Sequence, residues 1–265
     1  MLLTVDGLVT RSYPVGDHDR LVHIVTAEHG RLPVMVKGGQ SRHNPNVACT
    51  QLFTYGNYEL YHRGELYWLR SGSVLNAFYD LSCDIADVAL ATYLCDLTSE
   101  LTGEGVAADE LLRTLLNSLY MLGKRTRSRT LVKGVFEWRA AALSGYCPDL
   151  SGCAGCGAEH PASCYLDIMD GSLLCADCQS RLNRIRTVGA QAEENREKRT
   201  ILCHLSGSAL AAVRYAVGAP SSKIFSFALK EEGEEADFGR AAETFVLNQL
   251  ERGFDTLNFY KTMEV

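Results

Sequence analysis

Two short motifs, Cys153-Ala-Gly-Cys156 and Cys175-Ala-Asp-Cys178, with eighteen residues between them, constrain this chain more than any other stretch. Each Cys-x-x-Cys lets the backbone turn back and aim two sulfurs at one point. Four thiolates at this spacing match the tetrahedral shell that Zn²⁺ favours, and they leave no coordination position for a substrate or an activated water. The expectation is therefore one structural Zn²⁺ on Cys153, Cys156, Cys175 and Cys178. A disulfide framework would need an oxidising compartment, whereas the opening MLLTVDGLVTRS has neither an apolar core nor a cleavage site. A thioredoxin-type motif would leave one pair idle, iron–sulfur clusters want other spacings, and the zinc deaminases need a His-x-Glu and a preceding Pro. The other six cysteines are scattered singly and read as buried thiols, with Cys147 or Cys164 as alternates for one ligand position.

A length of 265 residues favours two domains, and the many cysteines without an export signal predict a reducing cytoplasm. No apolar run approaches the roughly 18 residues that would span a bilayer. The net charge of −6 would disfavour a polyanionic partner if it were evenly spread, but the charges are segregated. From Asp80 to Glu110 there are eight acids and no Lys or Arg, whereas Lys124 to Arg139 holds six bases and one acid. Local patches then matter more than the total.

Up to about Tyr79 the hydrophobic pattern has period two and is broken by Gly, Pro and Asn. Leu21 to Val25, Arg31 to Lys37, Leu52 to Tyr61 and Glu65 to Arg70 read as short strands, and His29-Gly30 reverses the chain. This predicts a five-stranded, partly open barrel over residues 1–79. From residue 80 to 265 the period is helical. Ile85, Val88, Ala89, Thr92, Tyr93, Leu97 and Leu101 form one stripe. Further helices are expected from Asp109 to Gly123, from Leu131 to Ser144, from Ser206 to Val217, and from about Phe238 to Arg252. The zinc module occupies about 147–180, and the charged stretch from Arg181 to Arg199 reads as a connection or an exposed helix. The fold class is α+β and multidomain.

Phosphate-binding Gly-x-x-x-x-Gly-Lys, dinucleotide, nucleophile-elbow and His-Glu-x-x-His motifs are all absent from the sequence. Asp17 with His18, and Cys203 with His204, are adjacent in sequence and read as solvated or core residues. No enzymatic activity is expected.

Several motifs then resemble a known family. Gly7-Leu-Val-Thr-Arg-Ser-Tyr13, Gly16-Asp-His-Asp-Arg-Leu21, Thr26-Ala-Glu-His-Gly30 and Val36-Lys-Gly38 resemble the start of the RecO family of bacterial recombination mediators. So do Gln51 to Tyr55 and Leu66-Tyr-Trp-Leu-Arg70, and later Phe136-Glu-Trp-Arg139, Leu143-Ser-Gly-Tyr146 and Pro148-Asp-Leu150 ahead of the cysteines. The resemblance implies an N-terminal OB-fold and a helical domain with an inserted zinc module. It also implies binding to single- and double-stranded DNA, strand annealing, and a nucleoid-associated cytoplasmic role. With RecR, and often RecF, such a protein loads RecA onto DNA coated by single-strand binding protein. Where members of the family commonly carry several bases after the Lys-Gly of the third strand, this chain has Gly38-Gly-Gln-Ser-Arg42-His43.

Under that resemblance, DNA phosphates are expected on Arg11, Arg20, Arg31, Lys37 and Arg42 of the barrel, continued by Lys124, Arg125, Arg127 and Arg129. Tyr55, Tyr58, Tyr61 and Tyr67 either stack on bases or fill the barrel. The acidic C-terminal tail of single-strand binding protein is expected near Lys133, Phe136 and Arg139. The competing readings are a scaffold that binds proteins alone and a zinc-stabilised RNA-binding factor.

Overall fold

The computed structural model describes residues 2–64, 66–189 and 200–263, with side chains given outside 185–189. Of the charged stretch from Arg181 to Arg199, residues 190–199 lie outside the described residues. The chain divides into two compact units, Met1–Arg129 with Phe254–Val265, and Thr130–Gly253. The division differs from a cut at residue 79, because three helices belong with the strands.

In the first unit, β1 (Leu2–Val15), β2 (Asp19–Thr26), β3 (Gly30–Val36), β4 (Tyr55–Arg63) and β5 (Leu66–Asn76) close into a barrel of order β1-β2-β3-β5-β4. The β3–β5 contact is parallel and the remaining pairs are antiparallel. Alternation sends Val5, Val9, Val22, Ile24, Leu32, Val34, Val36, Tyr58, Leu60 and Leu69 inward as one core. Each fully buried aliphatic side chain there stabilises the fold by about 1.5–3 kcal/mol. Tyr58 is enclosed, and its hydroxyl donates to the Cys49 carbonyl at 2.8 Å, which satisfies the one polar atom it brings inside. Gly30 begins β3 at φ +64°, and a Cβ there would lie 2.1 Å from the Gly103 carbonyl oxygen, so only glycine fits.

Three helices complete this unit: α1 (Ile85–Leu101), α2 (Asp109–Lys124) and α7 (Asp255–Met263). Asp84 caps α1 by accepting from the Ala86 amide at 2.9 Å. The stripe expected on α1 is only part of what is buried: Ala89, Tyr93 and Leu97 lie inside as expected and Ile85 is 63% exposed, while Leu90, Leu94 and Cys95, off the stripe, are also fully enclosed. The cause is that α1 packs against α2, α7 and β1 together, so apolar residues are needed on several faces. Tyr93 meets Phe254 edge-on at 5.6 Å.

The second unit holds α3 (Arg129–Leu143, its first residue grouped with the first unit), α4 (Ala176–Gly189), α5 (Gly207–Gly218) and α6 (Glu234–Gln249). It also holds an antiparallel sheet, β6 (Ser163–Asp167), β7 (Ser172–Cys175) and β8 (Leu202–Ser206), in the order β7-β6-β8, where only helices and a metal module are expected from the sequence. Ser206 caps α5 as predicted, accepting from the Ala209 amide. Gly134 on α3 admits Phe238 of α6, whose ring carbon would lie 2.7 Å from a Cβ, and Trp138 packs on Phe245 with centroids 5.4 Å apart. The helix expected from Phe238 to Arg252 is α6, ending at Gln249, and α7 follows as a separate helix.

Candidate metal centre and nucleic-acid surface

The four paired cysteines converge. Cys153 precedes a tight turn, Cys156 closes it, Cys175 ends β7 and Cys178 lies in the first turn of α4, so that all four sulfurs fall within 4.8 Å of one another. The Cys156 and Cys175 sulfurs are 3.8 Å apart, the edge expected of a tetrahedron with metal–sulfur bonds of about 2.3 Å. Backbone amides support the negative charge. Gly155 and Cys175 donate to the Cys153 sulfur at 3.4 and 3.2 Å, and Cys178 donates to the Cys175 sulfur at 3.4 Å. For Cys153, burial opposes ionisation, but the amides of Cys175, Gly155 and Cys156 outweigh it and bring the thiol down to about 6. Cys178 is pushed up to about 12, first by hydrogen bonding with Cys175. Thiolates crowded this closely repel, so the last proton is held tightly, and a divalent cation relieves the conflict. The four residues thus fit a metal ion. The alternates are placed elsewhere: the Cys164 thiol donates to the Leu205 carbonyl, and Cys147 is exposed.

The cations named from sequence separate into two groups. Lys37 and Arg42 stand exposed on the loop after β3, and their side chains have no partner among the described residues. The others are engaged. Arg11 Nε donates to Asp96 at 2.6 Å, Arg20 to the Ser12 hydroxyl at 2.9 Å, and Arg31 to the Ser99 carbonyl at 2.8 Å. In the loop after α2, Lys124 lies 2.6 Å from Asp80, Arg125 lies 3.1 Å from Asp87, and Arg129 bridges Asp87 and Asp84 at 2.6 and 2.5 Å. Arg127 is half-buried and also has a partner. The acidic and basic runs of the sequence are therefore set against each other within the first unit. Asp84 is held below the usual carboxylate range, first by the Ala86 amide and then by Arg129 and Arg125.

The tyrosines divide likewise. Tyr58 fills the barrel, Tyr67 packs against the core from its edge, and Tyr55 is half-buried. Tyr61 is outside, stacked on Trp68 with centroids 6.5 Å apart and planes 19° from parallel. Around the barrel, strand register sets Leu2 opposite Tyr61, Tyr61 opposite Trp68, Trp68 beside Met35, Met35 opposite Leu21, and Leu21 opposite Tyr13. All six lie outside the buried core, and together they form an outer apolar belt. Arg63 and Arg70 on the same two strands as Tyr61 and Trp68 are exposed, with no side-chain partner among the described residues. Lys37 follows directly on β3, the strand whose Met35 pairs with Trp68. Trp68, Arg63 and Arg70 were legible in principle, since period two puts Trp68 and Arg70 on the face opposite buried Leu69.

Of the residues named for a partner's acidic tail, Lys133 and Phe136 are enclosed and Arg139 is half-buried. Phe136 has no exposed surface, and Lys133 is 6% exposed between Glu137 at 3.0 Å and Glu243 at 2.8 Å. Burial acts against the charge on Lys133, but the two glutamates outweigh it and raise its pKa. Arg139 donates to the Val217 carbonyl. An α3 surface built on these residues would have to open before it could receive a chain.

No helix among the described residues is long and apolar enough to cross a membrane. Two family models match the chain, Recombination protein O N terminal over residues 1–78 and Recombination protein O C terminal over residues 83–257. A protein of Acetivibrio thermocellus named DNA repair protein RecO is 29% identical over 262 residues, covering 99% of this chain and 97% of its own length. Proteins of the same name from Clostridium kluyveri and Symbiobacterium thermophilum are 24% and 29% identical, covering 86% and 67% of this chain and 82% and 71% of their own lengths. With an OB-like five-stranded barrel followed by a helical region, and family models matching residues 1–78 and 83–257, the chain belongs to the RecO family of DNA repair proteins.

Proposed function

We propose that this protein binds and anneals DNA strands in the cytoplasm, at the nucleoid, and with RecR helps load RecA onto single-stranded DNA coated by single-strand binding protein. The observation that carries the reading is the outer face of the barrel, where the stacked Tyr61 and Trp68 lie on the same strands as Arg63 and Arg70, whose side chains have no partner among the described residues, with Lys37 and Arg42 exposed on the loop after β3. A single strand laid there has aromatic platforms for its bases and cations for its phosphates, without any group that reads sequence. Annealing follows from charge: a protein that neutralises phosphates on two strands at once lowers their mutual repulsion, and no covalent step is needed.

The loop cations Lys124, Arg125, Arg127 and Arg129 form a second contact in this reading. DNA reaching them competes with the carboxylates of Asp80, Asp84 and Asp87, so this contact is weaker than the barrel face. RecF, double-stranded DNA and the tail of single-strand binding protein complete the partners, with the tail docking outside the enclosed Lys133 and Phe136. The metal is Zn²⁺ in a closed shell of four sulfurs, and its task is to hold the Cys153 to Cys178 excursion in shape. The test is annealing of complementary oligonucleotides coated by single-strand binding protein, with and without RecR. Acceleration that requires both this protein and RecR supports the reading, and an unchanged rate overturns it.

A further inference from the structure

The sheet of the second unit presents a set of side chains that neither the cysteine cluster nor the barrel surface uses. Ser163 Oγ on β6 lies 3.0 Å from His204 Nε2 on β8, and His204 Nδ1 lies 3.0 Å from Asp237 Oδ2 on α6. The ring of His204 is fixed edge-on against Tyr165 at 5.5 Å, and Asp237 is held in turn by Arg240. The order of the atoms matters. A carboxylate on Nδ1 keeps that nitrogen protonated and leaves the Nε2 lone pair facing the hydroxyl, the arrangement in which a base activates a serine. A cross-link between sheet and helix would need only the His204–Asp237 pair. The site is open to reagents, since the His204 side chain is 41% exposed.

We propose that Ser163 is a nucleophile that accepts an acyl or phosphonyl group from an activated ester or a phosphonyl fluoride, with His204 as base and Asp237 as positioning residue. In the acyl case Ser163 Oγ bonds to the carbonyl carbon and the bond from that carbon to the leaving alkoxide breaks. The hydroxyl proton passes to His204 Nε2 and then to the alkoxide. With a phosphonyl fluoride the new bond is oxygen to phosphorus, the broken one is phosphorus to fluorine, and fluoride leaves while the proton goes to His204. The neighbouring start of α5 already holds the Glu234 carboxylate on Ser206 and Ser208, so a developing oxyanion meets negative charge there. A single covalent event, with slow release, is therefore expected rather than rapid turnover.

The experiment treats the full-length, metal-loaded protein with an alkyl fluorophosphonate and maps the adduct by peptide mass spectrometry. One adduct at Ser163 is expected, forming about a hundredfold faster than in the same protein unfolded in guanidinium, the contribution typical of a positioned base. Ser163→Ala removes it, His204→Gln slows it at least about tenfold, and Asp237→Asn slows it while Asp237→Glu restores it. Thermal melts of each variant confirm the fold. The proposal is overturned by an absent Ser163 adduct, by labelling no faster than in the unfolded chain, or by an unchanged rate in a folded His204→Gln protein.

Discussion

Arg129 donates from Nε to the carboxylate of Asp87 at 2.6 Å, and Asp87 is only 2% exposed. A charge run in the sequence is thereby converted into internal structure, because the enclosed carboxylate needs its cation more than the solvent-facing cation needs a ligand.

Arg129→Ala leaves that carboxylate with Arg125 alone, and stability should fall by about 2–3 kcal/mol, toward the low end for breaking a buried pair because the guanidinium side is partly exposed. Urea unfolding midpoints with an unchanged m-value check it. A loss below about 0.5 kcal/mol would mean the pair is no more than a surface contact.

Lys37, Arg42, Arg63 and Arg70, whose side chains have no partner among the described residues, should contribute roughly −3 to the slope of log affinity against log salt for single-stranded DNA. Replacing all four by Ala should flatten it markedly, leaving the smaller contribution of the Lys124 to Arg129 loop. Asp80→Asn frees Lys124 and should steepen the slope by about 0.7, read by fluorescence anisotropy across a salt series. A wild-type slope retained in the fourfold variant would move the DNA off the barrel.

Trp68→Ala or Tyr61→Ala should weaken single-strand binding by about 1–3 kcal/mol with little change in melting temperature. Tyr58→Phe should do the reverse, costing about 1 kcal/mol of stability through its lost hydrogen bond and leaving DNA affinity alone. Equal effects of the three on binding would show that the stacked pair has no special role.

Cys175→Ser opens the sulfur shell. Structural zinc of this kind carries on the order of 10 kcal/mol of apparent binding energy, so the second unit should lose its cooperative unfolding transition. Treating the wild type with a thiol-modifying reagent should release one equivalent of Zn²⁺, measured with a chromogenic chelator. A folded Cys175→Ser protein with weakened DNA binding would reassign the metal's role.

His23 supplies a pH signature. Burial, then the charges of Arg31 and Arg11, lower it from 6.5 to about 4. The unfolded chain therefore takes up the proton first, so the native state loses stability from this group as pH falls from about 6.5 to about 4, and no more below that. Subtracting the stability–pH curve of His23→Gln from that of the wild type should leave a difference that changes with pH only inside this window and is level on either side of it. A flat difference would show that His23 titrates normally.

The sequence by itself determined what short-range spacing encodes. Two Cys-x-x-Cys pairs specify a four-sulfur cluster, period-two strands with a Gly30 turn specify the barrel, and Ser206 marks the start of α5. Ligand geometry, pleat and capping each act within a few residues, so they can be read along the chain. Tertiary structure decided which segments meet. It closed Asp80, Asp84 and Asp87 onto Lys124, Arg125 and Arg129, enclosed Lys133 and Phe136, gave α1 several buried faces, and brought Ser163, His204 and Asp237 into one hydrogen-bonded chain. Those outcomes depend on desolvation and on pairing across tens of residues, and both are set by packing rather than by local pattern.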